Sequence, residues 1–201
     1  MEVRVKQISS LEKIRSIHEG EQAKEINQAV LLGGETFSYQ QVVSCDCFAH
    51  LHVEIISEIS DFVKIYEVKD VVMDLPCYHC YDHYEGYITT EPGMMPDLLT
   101  PLEKQQNYIR LNEDYRTVWI EINIPKDFAP GVYPVSVTYQ YENNKYTIFA
   151  EKELSVEVLN VNMPKQKIKV TQWFHTDCIA DAHNVEIYSE SHWTLIDQYM
   201  R

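Results

Sequence analysis

Three residue types that do chemistry crowd into one short stretch, "TQWFHTDCIADAH", which holds Trp173, His175 and Asp177. An indole stacks on flat or apolar faces, an imidazole moves protons or ligates metals, and a carboxylate accepts hydrogen bonds or acts as an acid or base. A second concentration lies in "CYHCYDH", where Cys77 and Cys80 form a C-x2-C with His79 and His83 beside them. Zinc takes four such ligands and a C-x2-C knuckle supplies two. Structural sites bring a second pair about 12 to 20 residues on, and none follows here. Cys45 and Cys47 complete a set only if the fold brings them close. The simpler reading makes these cysteines small apolar residues in a tyrosine-rich loop, so neither a metal nor another cofactor is expected. A thioredoxin-like role is disfavoured because the motif does not open a helix after a strand. His50 and His52 alternate with Glu54 on the outer face of a strand, where solvation explains them more simply than a metal.

The elements that must position these residues are mostly strands. In "TVWIEINIP", Val118, Ile120, Ile122 and Ile124 point one way while Glu121 and Asn123 point the other, and Pro125 ends the run. Phe37, Tyr39, Val43 and Cys45 share a side, and Leu51, Val53 and Ile55 continue the alternation. After the Pro130–Gly131 turn comes a stripe of Tyr133, Val135, Val137, Tyr139 and Tyr141. "ENNKY" reads as a hairpin turn, and Ala150, Leu154, Val156 and Val158 line the return strand against Glu151, Glu153 and Glu157. Val3 to Ile8 reads as a first strand, 9–35 as a surface connection with at most a helical turn, and 71–107 as a long irregular insert. Little helical periodicity precedes residue 185. These patterns predict a mainly β chain, an antiparallel β-sandwich of immunoglobulin-like type.

The pattern changes after Pro164. Ile168 to Phe174 reads as one more strand and Ser189 to Arg201 as a helix, with Ser189 as N-cap and Trp193, Ile196 and Met200 on one apolar face. A strand followed by a helix is half of a βα repeat. The division expected is 1–164 for the sandwich and 165–201 for a linker and the start of a second domain.

Composition bounds the partners. The chain of 201 residues is 45% hydrophobic, ample for a core, and carries a formal net charge of −14 at pH 7. Such a charge repels a phosphate backbone and an anionic bilayer, so neither nucleic acid nor membrane is an expected partner. No apolar run approaches the roughly 20 residues of a membrane span, and no signal-peptide stretch follows the start. A cytoplasmic location with reduced thiols is the expectation.

Three segments carry a resemblance: "MMPDLLTPL" at 94–102, "WIEINIPKDFAPGVYPVSV" at 119–137 and "VTQWFHTDCIADAHNVEIYSESHWTLIDQY" at 170–199. They resemble bacterial glycoside-hydrolase-like proteins of a domain-of-unknown-function group related to glycoside hydrolase family 123, the β-N-acetylgalactosaminidases. The resemblance implies an N-terminal β-sandwich followed by a catalytic (β/α)8 barrel, of which 165–201 supplies the first strand and helix. It implies a substrate-assisted reaction: the substrate's acetamido group attacks the anomeric carbon, an Asp orients it, and an adjacent Glu protonates the leaving oxygen. The chain has no Asp-Glu dipeptide, so no catalytic residue is assigned and the chain alone is expected to be inactive. Strand ends face the site in such barrels, which puts Trp173 in place to stack on a sugar, with His175 and Asp177 bonding hydroxyls. Carbohydrate, in the full-length protein, and the remaining barrel are the implied partners. The rival readings are a stand-alone carbohydrate-binding or protein-interaction sandwich and, less favoured, a zinc-binding module.

Overall fold

Period-two burial organises the first part of the chain. In a computed structural model that describes residues 2–75, 86–141, 147–165, 167–169 and 174–200, and only the backbone of 147–149, two compact units are found: Met1–Met163 and Pro164–Arg201. The first contains β1 (Val3–Ser9), α1 (Ile17–Gln22), β2 (Gln28–Gly33), β3 (Thr36–Cys45), β4 (Phe48–Ile56), β5 (Val63–Met73), β6 (Gly93–Pro101), β7 (Tyr108–Asn112), β8 (Tyr115–Asn123), β9 (Gly131–Tyr141) and β10 (Thr147–Asn162). The second contains α2 (Asp177–His183) and α3 (Glu190–Tyr199). No helix among the described residues is long and apolar enough to cross a membrane.

Among the described residues the strands form two five-stranded sheets, ordered β1-β3-β8-β5-β6 and β2-β10-β9-β4-β7. Val118, Ile120 and Ile122 of the first sheet and Val135, Val137 and Leu154 of the second are all fully buried in one shared apolar cluster. The chain is thus mainly β with two sheets about one core, as the alternation predicts. Edge strand β6 carries Pro96 and Pro101, residues that cannot donate to a further strand.

Several expectations need correction. The sheets are not wholly antiparallel, because β2 pairs parallel with β10, Val30 opposite Glu157 and Leu31 opposite Val158. Residues 9–35 therefore hold a strand; the helical turn expected there is α1, whose Ser16 hydroxyl accepts from Glu19 N at 3.3 Å while Glu19 Oε2 accepts from Arg15 N at 2.7 Å. That is a Ser-x-x-Glu capping signature. Within 71–107, β5 extends to Met73 and β6 pairs with it, so the irregular part is shorter than expected. Helix α2 was not anticipated either. Of the expected strand 168–174, the described residues Ile168, Lys169 and Phe174 are in no strand, and 170–173 lie outside the described residues, as does the turn of the β9–β10 hairpin.

One polar chain crosses the apolar interior. Tyr139 OH donates to Gln41 Oε1 at 2.7 Å, Gln41 Nε2 to Gln7 Oε1 at 2.8 Å, and Gln7 Nε2 to the carbonyls of Ile26 and Glu153 at 2.9 and 3.2 Å. Gln7 and Gln41 belong to the first sheet and Tyr139 and Glu153 to the second.

Burial pushes the phenols of Tyr39 and Tyr139 well above the ordinary value of 10.0. A phenol that keeps its proton when folded and loses it when unfolded contributes stability that is complete below the unfolded pKa and lost above it. Stability should therefore fall above about pH 10, by up to about 1.4 kcal/mol per pH unit for each group. Denaturant titrations from pH 8 to 11.5 measure this slope, and Tyr139→Phe should make it shallower.

Candidate functional site

His192, on α3, organises the second unit. Its ring is fully buried, Nδ1 accepts from the Tyr188 N–H at 2.8 Å, and Nε2 lies 2.7 Å from the Thr176 carbonyl oxygen. A carbonyl only accepts, so Nε2 carries the proton. One imidazole thereby ties the turn before α2 to the turn before α3. Ser189 caps α3, its hydroxyl accepting from His192 N at 3.2 Å, which matches the predicted cap. Tyr188 adopts φ +62°, uncommon for a bulky residue, and its ring stacks on Trp193 at 5.6 Å.

The buried face of α3 differs from the one predicted. Ile196 is 5% exposed, but Trp193 is 55% and Met200 72% exposed. His192 takes the interior place instead, with Ile179 and Ala180 of α2 also buried. An imidazole with both nitrogens bonded satisfies burial, and apolar periodicity does not register it.

His175 is exposed and in no regular element, and Asp177 is exposed as the first residue of α2. No interaction among the described residues joins the two. Trp173 lies outside the described residues, as do Cys77, His79, Cys80 and His83. His50, His52 and Glu54 do occupy the outer face of β4, where the His50 ring stacks on Tyr108 at 4.5 Å.

Sequence reasoning missed a charged cleft in the first unit. Adjoining cavities of 380 and 420 Å³ share Glu67, Lys69 and Arg116. Glu67 is 2% exposed and meets Lys69 Nζ at 2.6 Å and Arg116 Nε at 3.5 Å. Arg116 Nη1 also donates to Asp114 Oδ2 at 2.5 Å and to the Tyr115 carbonyl at 2.6 Å. His50, Gln105, Tyr108 and Arg110 continue the wall. The cleft offers guanidinium and ammonium donors around a neutralised carboxylate, groups suited to binding hydroxyls or anions. A signal was present in the alternation: Glu67 shares parity with Val63 and Ile65, and Arg116 with Val118 and Ile120, so charges stand where apolar residues are expected.

Among the described residues, one group can hold a metal: Cys45, Asp46 and Cys47, whose ligand atoms lie within 4.8 Å of one another. Hydrogen bonds from the backbone N–H of Glu2 and of Asp46 itself hold the Asp46 carboxyl below its ordinary range. The Cys47 thiol is pushed up by its hydrogen bond with Cys45 and then by burial.

Residues 173–201 match the family model of the glycoside hydrolase 123 catalytic domain. The solved structure of a family 123 glycoside hydrolase from Clostridium perfringens, described for glycolipid glycan hydrolysis, superposes with a TM-score of 0.70 and 16% identity over 96% of this chain. The chain spans 34% of the length of that structure. AvmM, described as catalysing macrocyclization in alchivemycin A biosynthesis, matches 83% of this chain and 92% of its own, at 10% identity and a TM-score of 0.41. The seventh ScaB type I cohesin from Pseudobacteroides cellulosolvens matches 72% and 95%, at 11% identity and 0.34. Neither of these two bears on function. No curated protein matches the chain. The chain thus shares the fold of part of the clostridial enzyme, and its last 29 residues match the catalytic-domain model of the same family. The chain is related to glycoside hydrolase family 123.

Two substitutions probe these arrangements. His192→Ala frees the Tyr188 N–H and the Thr176 carbonyl and should destabilise the second unit by about 1–3 kcal/mol. Hydrogen exchange should show faster exchange at the Tyr188 amide and no change in β8. Arg116→Met leaves the buried Glu67 with Lys69 alone and should cost about 1–3 kcal/mol, since the partner side chains are partly exposed. Urea denaturation at low and high salt measures that cost.

Proposed function

We propose that residues 1–164 are the non-catalytic N-terminal β-sandwich, immunoglobulin-like in type, of a glycoside hydrolase, and that 165–201 contain the first strand and helix of its (β/α)8 barrel. The observation that carries this reading is the catalytic-domain match at 173–201, immediately after the two-sheet unit. A barrel takes about 250 residues, so this segment supplies only its beginning.

In the whole protein the substrate is a glycoside, with an N-acetylhexosaminide as the specific proposal. The acetamido oxygen of the substrate attacks the anomeric carbon, an Asp holds the acetamido group, and a neighbouring Glu protonates the departing oxygen. Those two carboxylates are assigned to the rest of the barrel, because this chain contains no dipeptide in the order Asp-Glu. From this chain Trp173 stacks on a sugar face, and His175 and Asp177 bond its hydroxyls. The catalytic-domain match that begins at residue 173 supports those roles, since residues that follow a barrel strand face the site.

The test is hydrolysis of p-nitrophenyl N-acetyl-β-galactosaminide. The full-length protein should turn it over, and the 201-residue chain should show no turnover above background. In the full-length protein Trp173→Ala should raise KM about tenfold, which corresponds to about 1.4 kcal/mol of binding. Turnover by the isolated chain would sink the proposal.

A further inference from the structure

β3 ends at Cys45 and β4 begins at Phe48, so Asp46 and Cys47 form the corner between them. In an extended strand, residues two apart on one face stand about 6.6 Å from each other. The corner instead closes the two sulfurs to 3.5 Å, with Asp46 Oδ1 3.8 Å from Cys45 Sγ.

Those separations have a chemical meaning. A tetrahedral ion with metal–sulfur bonds near 2.3 Å has an edge of about 3.8 Å between ligand atoms. A linear two-coordinate ion with similar bonds would need sulfurs about 4.6 Å apart. Both separations thus lie close to a tetrahedral edge, and all three ligand atoms fall within 4.8 Å of one another. Asp46 is exposed and Cys47 half-buried, so the corner is open to solvent on that side.

We propose that Cys45, Asp46 and Cys47 form a binding site for a zinc-like divalent cation, with water or an external ligand as the fourth donor. Binding is an exchange without redox change: the ion displaces the two thiol protons to solvent and the thiolates and Asp46 carboxylate coordinate it. The hydrogen bond that Cys45 donates to Asp46 is replaced by two bonds to the metal. Affinity therefore rises with pH as proton release becomes easier. The proposal uses neither Cys77 nor Cys80 as a ligand and does not depend on the glycosidase reading.

Cobalt(II) is the probe. The chain, reduced with a phosphine and freed of metal, is titrated anaerobically. One equivalent should produce sulfur-to-cobalt charge transfer in the near ultraviolet and the strong visible bands of a tetrahedral ion, and zinc should bleach both. The spectrum should persist in Cys77→Ser/Cys80→Ser and weaken at least tenfold in affinity in Cys47→Ser. Asp46→Asn, at an exposed corner that leaves the core untouched, gives an independent reading should Cys47→Ser fail to fold. A spectrum that vanishes in Cys77→Ser/Cys80→Ser overturns the proposal, as does one that is unchanged in Asp46→Asn and Cys47→Ser, or the absence of charge transfer in the parent chain.

Discussion

The chain of hydrogen bonds from Tyr139 through Gln41 to Gln7 is the constraint on which the two-sheet unit depends. Apolar contacts between the sheets are permissive: a shifted pairing still buries valines and isoleucines. Hydrogen bonds are not, because each buried amide or hydroxyl left unpaired costs about 1–3 kcal/mol. From β1, Gln7 reaches the carbonyl of Ile26, just before β2, and that of Glu153 on β10, so it fixes the second sheet against the first. The register between β1 and β3, with Gln7 opposite Gln41, is the one that lets the chain close.

The same alternation explains the charged cleft. Glu67 and Arg116 lie on strands β5 and β8, at the parity of the apolar Val63, Ile65, Val118 and Ile120. A carboxylate at such a position needs a compensating cation, and Arg116 and Lys69 supply two. Both of them are partly exposed, which places the pair at a mouth of the interior. The β3–β4 corner shows a third use of the frame: a tight turn at the end of a strand brings together sulfurs that the strand itself would hold apart.

In the second unit one imidazole does what apolar packing does in the first. His192 accepts from Tyr188 and donates to Thr176, and the short helices α2 and α3 are joined through it. The family 123 likeness gives this unit its functional interest, while the geometry gives it a stated structural pivot. Trp193, expected in the interior by its spacing, stacks on Tyr188 at the surface instead.

The amino-acid sequence by itself determined the β class, the inward faces of β3, β4, β8, β9 and β10, the cap of α3 and the family relation, because alternation, capping and motif are local properties of neighbouring residues. Tertiary structure alone decided the parallel pairing of β2 with β10, the edge hairpin of β5 and β6, the polar chain through Gln7, and the meeting of Glu67 with Arg116. β2 illustrates the reason. "QAVLLG" is a short apolar run whose Gly33–Gly34 turn leads to β3 in the other sheet and so does not name its neighbour; its place follows from an edge that β10 leaves open far along the chain. The charged cleft was half legible, as two charges at apolar parity. Which cation meets which carboxylate depends on strand order, and strand order is set by the packing of the whole unit.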